Sequence, residues 1–512
     1  MSESRTSKSI KNARVSLIFY FFQLILGFFS RKAFFDYLGS EILGLNTTAA
    51  NLLGFLNLAE LGIGMSVGYF LYQPLHDNDR QRLNEIVSLQ GWIYRRVAYF
   101  IIIGSFVLFC FFPKIFAKSE LSLWYAYSTY LVLLFSSLLG YFVNYKQIVL
   151  NADQKGYKVQ KYTQGVTILK TIAQIIGITY TPYPYIAWIL LEVLGAIITS
   201  ILLQVILRKE YPWLHTDTSN GRELLKQNRE VLKKTGQAFI HTLSYVAATQ
   251  ITPLIMYGYT SLTTVALYGN YLLIIGKISR LVSSVFDSTG AAIGNLVASH
   301  EKKRIQRVFW ELYDSRLAIS TTFLLCMFYL IEPFITIWLG DGYSLGTKFI
   351  LIYLCIEFIN MSSSTVSGFL NAYGLFKDVW APVVSTSLYI VLSILLGSIW
   401  GLNGVVSGVC LSRIFLFVYW KPYFLFTQGF KLSALTYYTK VIKRYALVII
   451  LFYITHLFFS YLNISASSWK DWILYAVIVT LISAILTVTM FLICFQGSRD
   501  FALRIKQLLY KR

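Results

Sequence analysis

About fourteen stretches of roughly 20 to 30 residues run along this chain almost without charge, and that feature limits its fold more than any other. In hydrocarbon no water satisfies backbone N–H and C=O groups, so a spanning segment is either a helix or a strand of a closed barrel. Barrel strands alternate apolar and polar residues over ~10-residue segments. The runs here are continuous, and the class they predict is an all-α integral membrane protein. Composition agrees. Charged residues make up 13% of 512 positions, against roughly 25% in soluble domains. The hydrophobic share is 56% and mean hydropathy is +0.59.

The predicted spans are 14–36, 42–73, 86–112, 120–149, 162–180 and 183–207, then 235–258, 263–298, 313–338, 345–373, 381–400, 402–426, 445–463 and 469–496. The first is too long for a signal-peptide core and reads as a retained helix. Cys110, Cys326, Cys355, Cys410 and Cys494 all fall within apolar runs, with no spacing that suggests a disulfide framework or a zinc site.

Lys and Arg crowd alternate connections. They lie before the first span (Arg5, Lys8, Lys11, Arg14), around 155–161, through the long loop 208–234, at 302–307, at 431–444, and in the C-terminal tail. The opposite connections hold Lys114, Lys118, Lys348 and Lys470. The positive-inside rule therefore predicts both termini in the cytoplasm. The net charge of +21 sits in short loops beside membrane ends, where topology and anionic headgroups account for it. No basic domain stands apart from the helices, which argues against nucleic acid as a partner.

The halves echo each other. Leu150-Asn151-Ala152, followed by Lys155, Gly156 and Val159, leaves the fourth span; Leu370-Asn371-Ala372, followed by Gly374, Lys377 and Val379, leaves the tenth, 220 residues on. Gly44-Leu45-Asn46 and Tyr268-Gly269-Asn270 form a second echo near the same shift. An even number of helices between copies predicts a parallel repeat. The expected layout is an N-lobe of six helices (1–208), a cytoplasmic interlobe loop (209–234), a C-lobe of six helices (235–428), and a helix pair with a basic tail (429–512).

Charges inside the spans carry the functional expectation, because an ion at the bilayer centre costs ~2.5–3.5 kcal/mol unless it faces a cavity or a partner. The cations are Arg31 and Lys32, Lys170, Lys277 and Arg280, and Arg413. Lys277 and Arg280 are spaced i, i+3 on one helix face. With Arg31, Lys32 and Arg413 they would line a positive cavity suited to a phosphate or pyrophosphate. Against this, Arg31 and Lys32 have a snorkelling alternative, Lys170 can reach headgroups, and Arg413 can pair with an acid. The embedded acids are Glu60, Glu192, Asp287 and Glu357. Each is a candidate H⁺ or Na⁺ coupling site or, equally, a neutraliser of a cavity cation. Pro253 removes a backbone hydrogen bond from the seventh span and is a candidate hinge.

Protease, hydrolase, P-loop and dinucleotide fingerprints are absent from the sequence, and the five histidines have no ligand spacing. The connections opposite the basic face are too short for a transferase site. These features argue against an enzyme, and no cofactor is expected beyond a coupling ion. The 17% aromatic content fits interfacial belts and lipid-facing rings, with some rings free to stack against sugars.

Several stretches together resemble bacterial polysaccharide flippases of the multidrug/oligosaccharidyl-lipid/polysaccharide exporter superfamily. They are Lys11-Asn12-Ala13-Arg14, Phe35-Asp36-Tyr37-Leu38-Gly39 followed by Gly44-Leu45-Asn46, the run Leu52 to Gly64 (LLGFLNLAELGIG), and the two Leu-Asn-Ala exits. The resemblance covers most of the chain through diffuse motifs. It implies a MATE-like fold in the bacterial inner membrane. It also implies a flippase that moves undecaprenyl-pyrophosphate-linked oligosaccharide repeat units to the periplasmic leaflet for O-antigen, capsule or exopolysaccharide assembly. Its implied partners are the lipid-linked substrate, membrane lipids and glycan polymerase. Related cell-wall precursor flippases use helix 1 and helix 8 arginines around the pyrophosphate, and Arg31 and Arg280 stand in comparable helices. Two alternatives stay open: a cation-coupled drug or metabolite exporter of the same superfamily, and a membrane glycan polymerase or transferase.

Overall fold

The computed structural model describes residues 5–60, 63–153, 155–227, 250–287, 293–294, 296–297, 301–375, 378, 380–462 and 467–510. The chain divides into two compact units, Met1–Ala266 and Leu267–Arg512.

The first unit holds α1 (Arg5–Leu56), α2 (Ile63–Asp77), α3 (Arg80–Ile115), α4 (Leu123–Phe142), α5 (Gly156–Tyr180) and α6 (Pro184–Glu210). It also holds a helical stretch at 250–259 and the start of α7 (Leu262–Asp287). Local chemistry sets the ends. Asp79 caps α3 by accepting from the Arg82 amide at 2.9 Å, and Pro184 opens α6, where a missing N–H costs nothing. Gly39 adopts φ +84° within α1, a left-handed setting that glycine enters without a Cβ clash. It separates the first predicted span from the second. Gly44 lies so close to α7 that a Cβ there would sit 1.9 Å from the Leu262 carbonyl oxygen. Buried hydroxyls tie helices together: Ser105 with Tyr130 at 3.0 Å, and Ser128 and Thr129 with Tyr185 at 2.6 and 2.9 Å. Such bonds bind helices where lipid offers no hydrophobic drive for association.

The second unit continues α7 and adds α8 (Lys302–Leu339), α9 (Thr347–Ser362), α10 (Ser364–Ala372), α11 (Trp380–Arg413), α12 (Leu435–Leu462), α13 (Trp469–Cys494) and α14 (Gln496–Tyr510). Past Arg413 the helix widens into π-helical turns at Ile414–Trp420 and Leu425–Gly429. Its core is aromatic. Phe309 packs 5.3 Å from both Phe369 and Phe430, with Phe426 and Tyr437 around them. Within this core Arg444 of α12 donates to Asp314 of α8 through Nη2 at 2.9 Å and stacks 4.5 Å over Trp310 and Phe495. On α13 the exposed residues Leu474, Val477, Leu481, Ile485 and Val488 repeat every three or four positions. That apolar stripe is what a lipid-facing helix presents.

Ten stretches among the described residues are long and apolar enough to cross a membrane. Ile18–Leu56 holds most of the first predicted span and the second as far as Leu56, broken at Gly39, while Asn57–Glu60 and part of α2 also belong to the second; Trp380–Gly429 contains two predicted spans, broken at Gly401. The ten stretches therefore cover twelve predictions. The predicted fifth span forms as α5, which falls outside the ten, and most of the predicted seventh lies outside the described residues. No strand occurs among the described residues, and the all-α membrane fold is as expected.

The two Leu-Asn-Ala exits share a backbone device. The Lys155 amide donates to the Leu150 carbonyl at 2.8 Å, and the Leu375 amide donates to the Leu370 carbonyl at 3.0 Å. Both are six-to-one bonds that stop a helix. The Leu-Asn-Ala residues of each half thus lead into the same type of hydrogen bond.

Candidate functional site

In the first unit the polar residues converge on Glu60. The 3₁₀ turn Asn57–Glu60 follows α1 and aims the carboxylate into a cavity of about 510 Å³. Tyr94 of α3 donates to Glu60 Oε1 at 2.6 Å. Tyr141 and Ser137 of α4 both donate to Asn57 Oδ1, at 3.1 and 3.3 Å. Gln90, 2% exposed, lines the same cavity, and its Oε1 finds no hydrogen-bond partner among the described residues. Asn151 of the first Leu-Asn-Ala turn completes one wall. Just outside that wall, Lys155 bridges Asp153 at 2.7 Å and Glu210 at 3.3 Å. Burial alone would lower its pKa; the two carboxylates outweigh burial and raise it. The cavity thus presents one carboxyl, phenol hydroxyls and amides, a set able to exchange a proton or hold a small cation.

Glu192 has different surroundings. Its Oε1 takes the Lys170 ammonium at 2.6 Å and its Oε2 accepts from Gln174 at 2.9 Å. Of the two roles left open for this acid, neutralising an embedded cation is the one its partners favour. Lys170 accordingly meets a partner on the neighbouring helix. Arg31 donates to the Ala266 carbonyl at 2.9 Å, and Lys32 pairs with Asp36 at 3.0 Å with both side chains about two-fifths exposed. Pro253 is buried in the stretch 250–259, whose preceding turn lies outside the described residues.

In the second unit Lys277 and Arg280 sit on α7, Lys277 half-buried and Arg280 exposed. Ser279 between them donates to Glu357 Oε2 on α9 at 2.9 Å. Tyr353 and Arg413 also lie near that carboxylate. The structure therefore gathers Glu357 and Arg413 beside the helix that carries the two cations. Asp287 is the last residue of α7, and its side chain lies outside the described residues.

Lys421 belongs to this group although the sequence reading did not single it out. Its ammonium lies 4.6 Å from the Phe417 ring, and Arg413 lies 5.4 Å from the same ring; it also reaches Ser367 Oγ at 3.4 Å. The signal was present, since Lys421 falls inside the predicted span 402–426. Two cations lie against one ring across a π-helical turn, a backbone irregularity that recurs at functional sites. Tyr94, Tyr141 and Gln90 were missed for another reason: only the folded chain shows which aromatic and amide residues face Glu60.

Comparison with protein-family models and with curated sequences finds no match. The solved structures that share the fold include two transporters. One is a lipid II flippase MurJ in an inward closed conformation, with TM-score 0.61 and 16% identity over 93% of this chain and 98% of that one. The other is a multidrug resistance MATE family transporter of the MOP superfamily in an inward-facing conformation, with TM-score 0.53 and 12% identity over 77% of this chain and 93% of that one. The chain is a multi-pass membrane protein with the MurJ- and MATE-like all-α fold.

Proposed function

We propose that this protein is a flippase. It would carry undecaprenyl-pyrophosphate-linked oligosaccharide repeat units from the cytoplasmic to the periplasmic leaflet of the bacterial inner membrane, for O-antigen, capsule or exopolysaccharide assembly. The observation that carries this reading is the excess of membrane-embedded cation on α7 and α11, in a fold shared with a lipid II flippase. Lys277, Arg280 and Arg413, joined by Lys421, supply charge-assisted donors for a pyrophosphate. The glycan crosses in water while the isoprenoid chain stays in lipid. Both termini are cytoplasmic, and glycan polymerase and other assembly proteins receive the product.

Glu60 is the coupling site in this reading, exchanging H⁺ or Na⁺ as the lobes alternate in access about a hinge near Pro253. What supports it is the open cavity around Glu60 and the hydroxyl and amide groups that face it. Glu357 tempers the cations of the second unit, as Glu192 does Lys170, and Asp287 is an additional ion-pair candidate. The same acidic cavity, with the likeness to a multidrug transporter, favours a second reading as a cation-coupled drug or metabolite exporter. An exporter of cationic drugs gains nothing from embedded cations, and the flippase stands first.

Lys277→Gln combined with Arg280→Gln separates the two. The flippase predicts loss of surface glycan and accumulation of lipid-linked units in the cytoplasmic leaflet. Normal glycan in a host lacking the native gene would refute it.

A further inference from the structure

A second cavity, of about 550 Å³, lies in the first unit near the end of α3, among Thr48, Leu52, Phe111, Lys114, Lys118 and Tyr257. Topology by the positive-inside rule puts this end on the non-cytoplasmic side. Two of its hydroxyls are unusual. Thr48 is fully buried and Tyr257 is 6% exposed, yet neither oxygen finds a hydrogen-bond partner among the described residues. Buried polar groups are normally satisfied, and each exception calls for an explanation such as a ligand. The lysines provide charge. Lys118 spends one donor on the Gly258 carbonyl at 2.7 Å and keeps its others; Lys114 stands exposed in the last turn of α3. The neighbouring acid Glu41 is engaged with Ser119 Oγ at 2.8 Å and the Glu120 amide at 2.9 Å.

The opposite wall is apolar and leads into lipid. Phe111 is 53% exposed and continues a stripe through Val107 and Ile103 on the same face of α3. From Ile103 to Lys114 the helix rises about 16 Å, close to the depth of one leaflet in a core of ~30 Å. Two ammonium groups and two unpartnered hydroxyls thus stand at one end of a leaflet-long apolar track. The chemistry that fits is a phosphoryl head on a long hydrocarbon chain.

We propose that this cleft holds the phosphoryl head of the lipid-linked substrate on the releasing side, with its chain along α3. The identity of the lipid rests on the flippase reading; the phosphoryl-lipid site itself does not.

The test places a photo-reactive benzoylphenylalanine at Phe111 of the full chain, in nanodiscs doped with polyprenyl monophosphate. Efficient labelling of that lipid is expected, with about a hundredfold fall in Lys114→Gln/Lys118→Gln, from loss of two charge-assisted contacts. Thr48→Val/Tyr257→Phe keeps both charges and should fall less, by about tenfold. Lys277→Gln/Arg280→Gln should leave labelling unchanged. Equal labelling with and without the lysines overturns the proposal. So does equal displacement by phosphatidylglycerol, which would mark an ordinary anionic-lipid contact, or by unphosphorylated polyprenol. Displacement by millimolar inorganic phosphate alone would mean an adventitious ion only, and would also overturn it. Lysine-dependent labelling alongside normal surface glycan in Lys277→Gln/Arg280→Gln would sink the flippase reading and keep the lipid-phosphate site, so the two failures read differently.

Discussion

Glu192→Leu tests the division of labour among the embedded acids. Lys170 and Glu192 side chains are 21% and 17% exposed and meet at 2.6 Å, with Gln174 holding the second carboxylate oxygen. Removing one member leaves the other charge largely desolvated, which costs about 3–5 kcal/mol for a buried pair. Partial exposure puts this pair near the lower figure. About 3 kcal/mol corresponds to roughly 150-fold in the folding equilibrium. Lys170→Met should behave alike, since it strands Glu192. The double change Lys170→Met/Glu192→Leu removes both charges and should fall within ~1 kcal/mol of wild type, a coupling of about 5 kcal/mol. Reversible unfolding in mixed SDS micelles measures all four proteins, and surface glycan in a complemented host measures activity. If Glu192 neutralises Lys170, the double variant is both stable and active. A double variant as unstable as either single change refutes the pairing argument. One that is stable but inactive refutes the assignment of coupling to Glu60 rather than Glu192.

Arg444→Met strands Asp314, which is fully buried against α12; a loss of about 3–5 kcal/mol is expected, read in the same unfolding assay. Gly44→Val places a Cβ 1.9 Å from the Leu262 carbonyl, so α1 and the start of α7 must separate; expression of folded protein, followed by size-exclusion chromatography, should fall sharply. Lys155 has a raised pKa through Asp153 and Glu210. Its contribution is therefore present below the ordinary lysine value of 10.5 and lost as pH rises through the folded-state value. The stability gap between wild type and Lys155→Met should hold at neutral pH and close in strongly alkaline buffer.

Most of the fold was legible because lipid leaves few solutions. Unbroken apolar length marks a helix, and a glycine such as Gly39 or Gly401 marks where one crossing gives way to another. The Leu-Asn-Ala echo was legible too, since a helix-stopping turn writes itself into adjacent residues. The sites were only partly so. Charge inside a span flags Glu192 and Lys170, but not that Glu192 faces Lys170 from the next helix. Arg444 reads as a loop cation, and becomes a core residue because α12 starts at Leu435, well before the predicted 445. Neutral polar residues such as Gln90 and Tyr94 carry no signal of direction along a helix. Their convergence on Glu60 is a property of packing, which one sequence does not encode position by position.

The central claim is that cations on α7 move a lipid pyrophosphate across the bilayer. Purified protein in liposomes, loaded with lipid-linked oligosaccharide bearing a fluorescent sugar, allows the transfer to be followed by quenching from outside. Wild type should equilibrate the lipid between leaflets, and Lys277→Gln/Arg280→Gln should slow it by about a hundredfold or more, from two lost charge-assisted contacts of about 1.5–3 kcal/mol each. Equal transfer by both proteins, at equal reconstitution, would contradict the account.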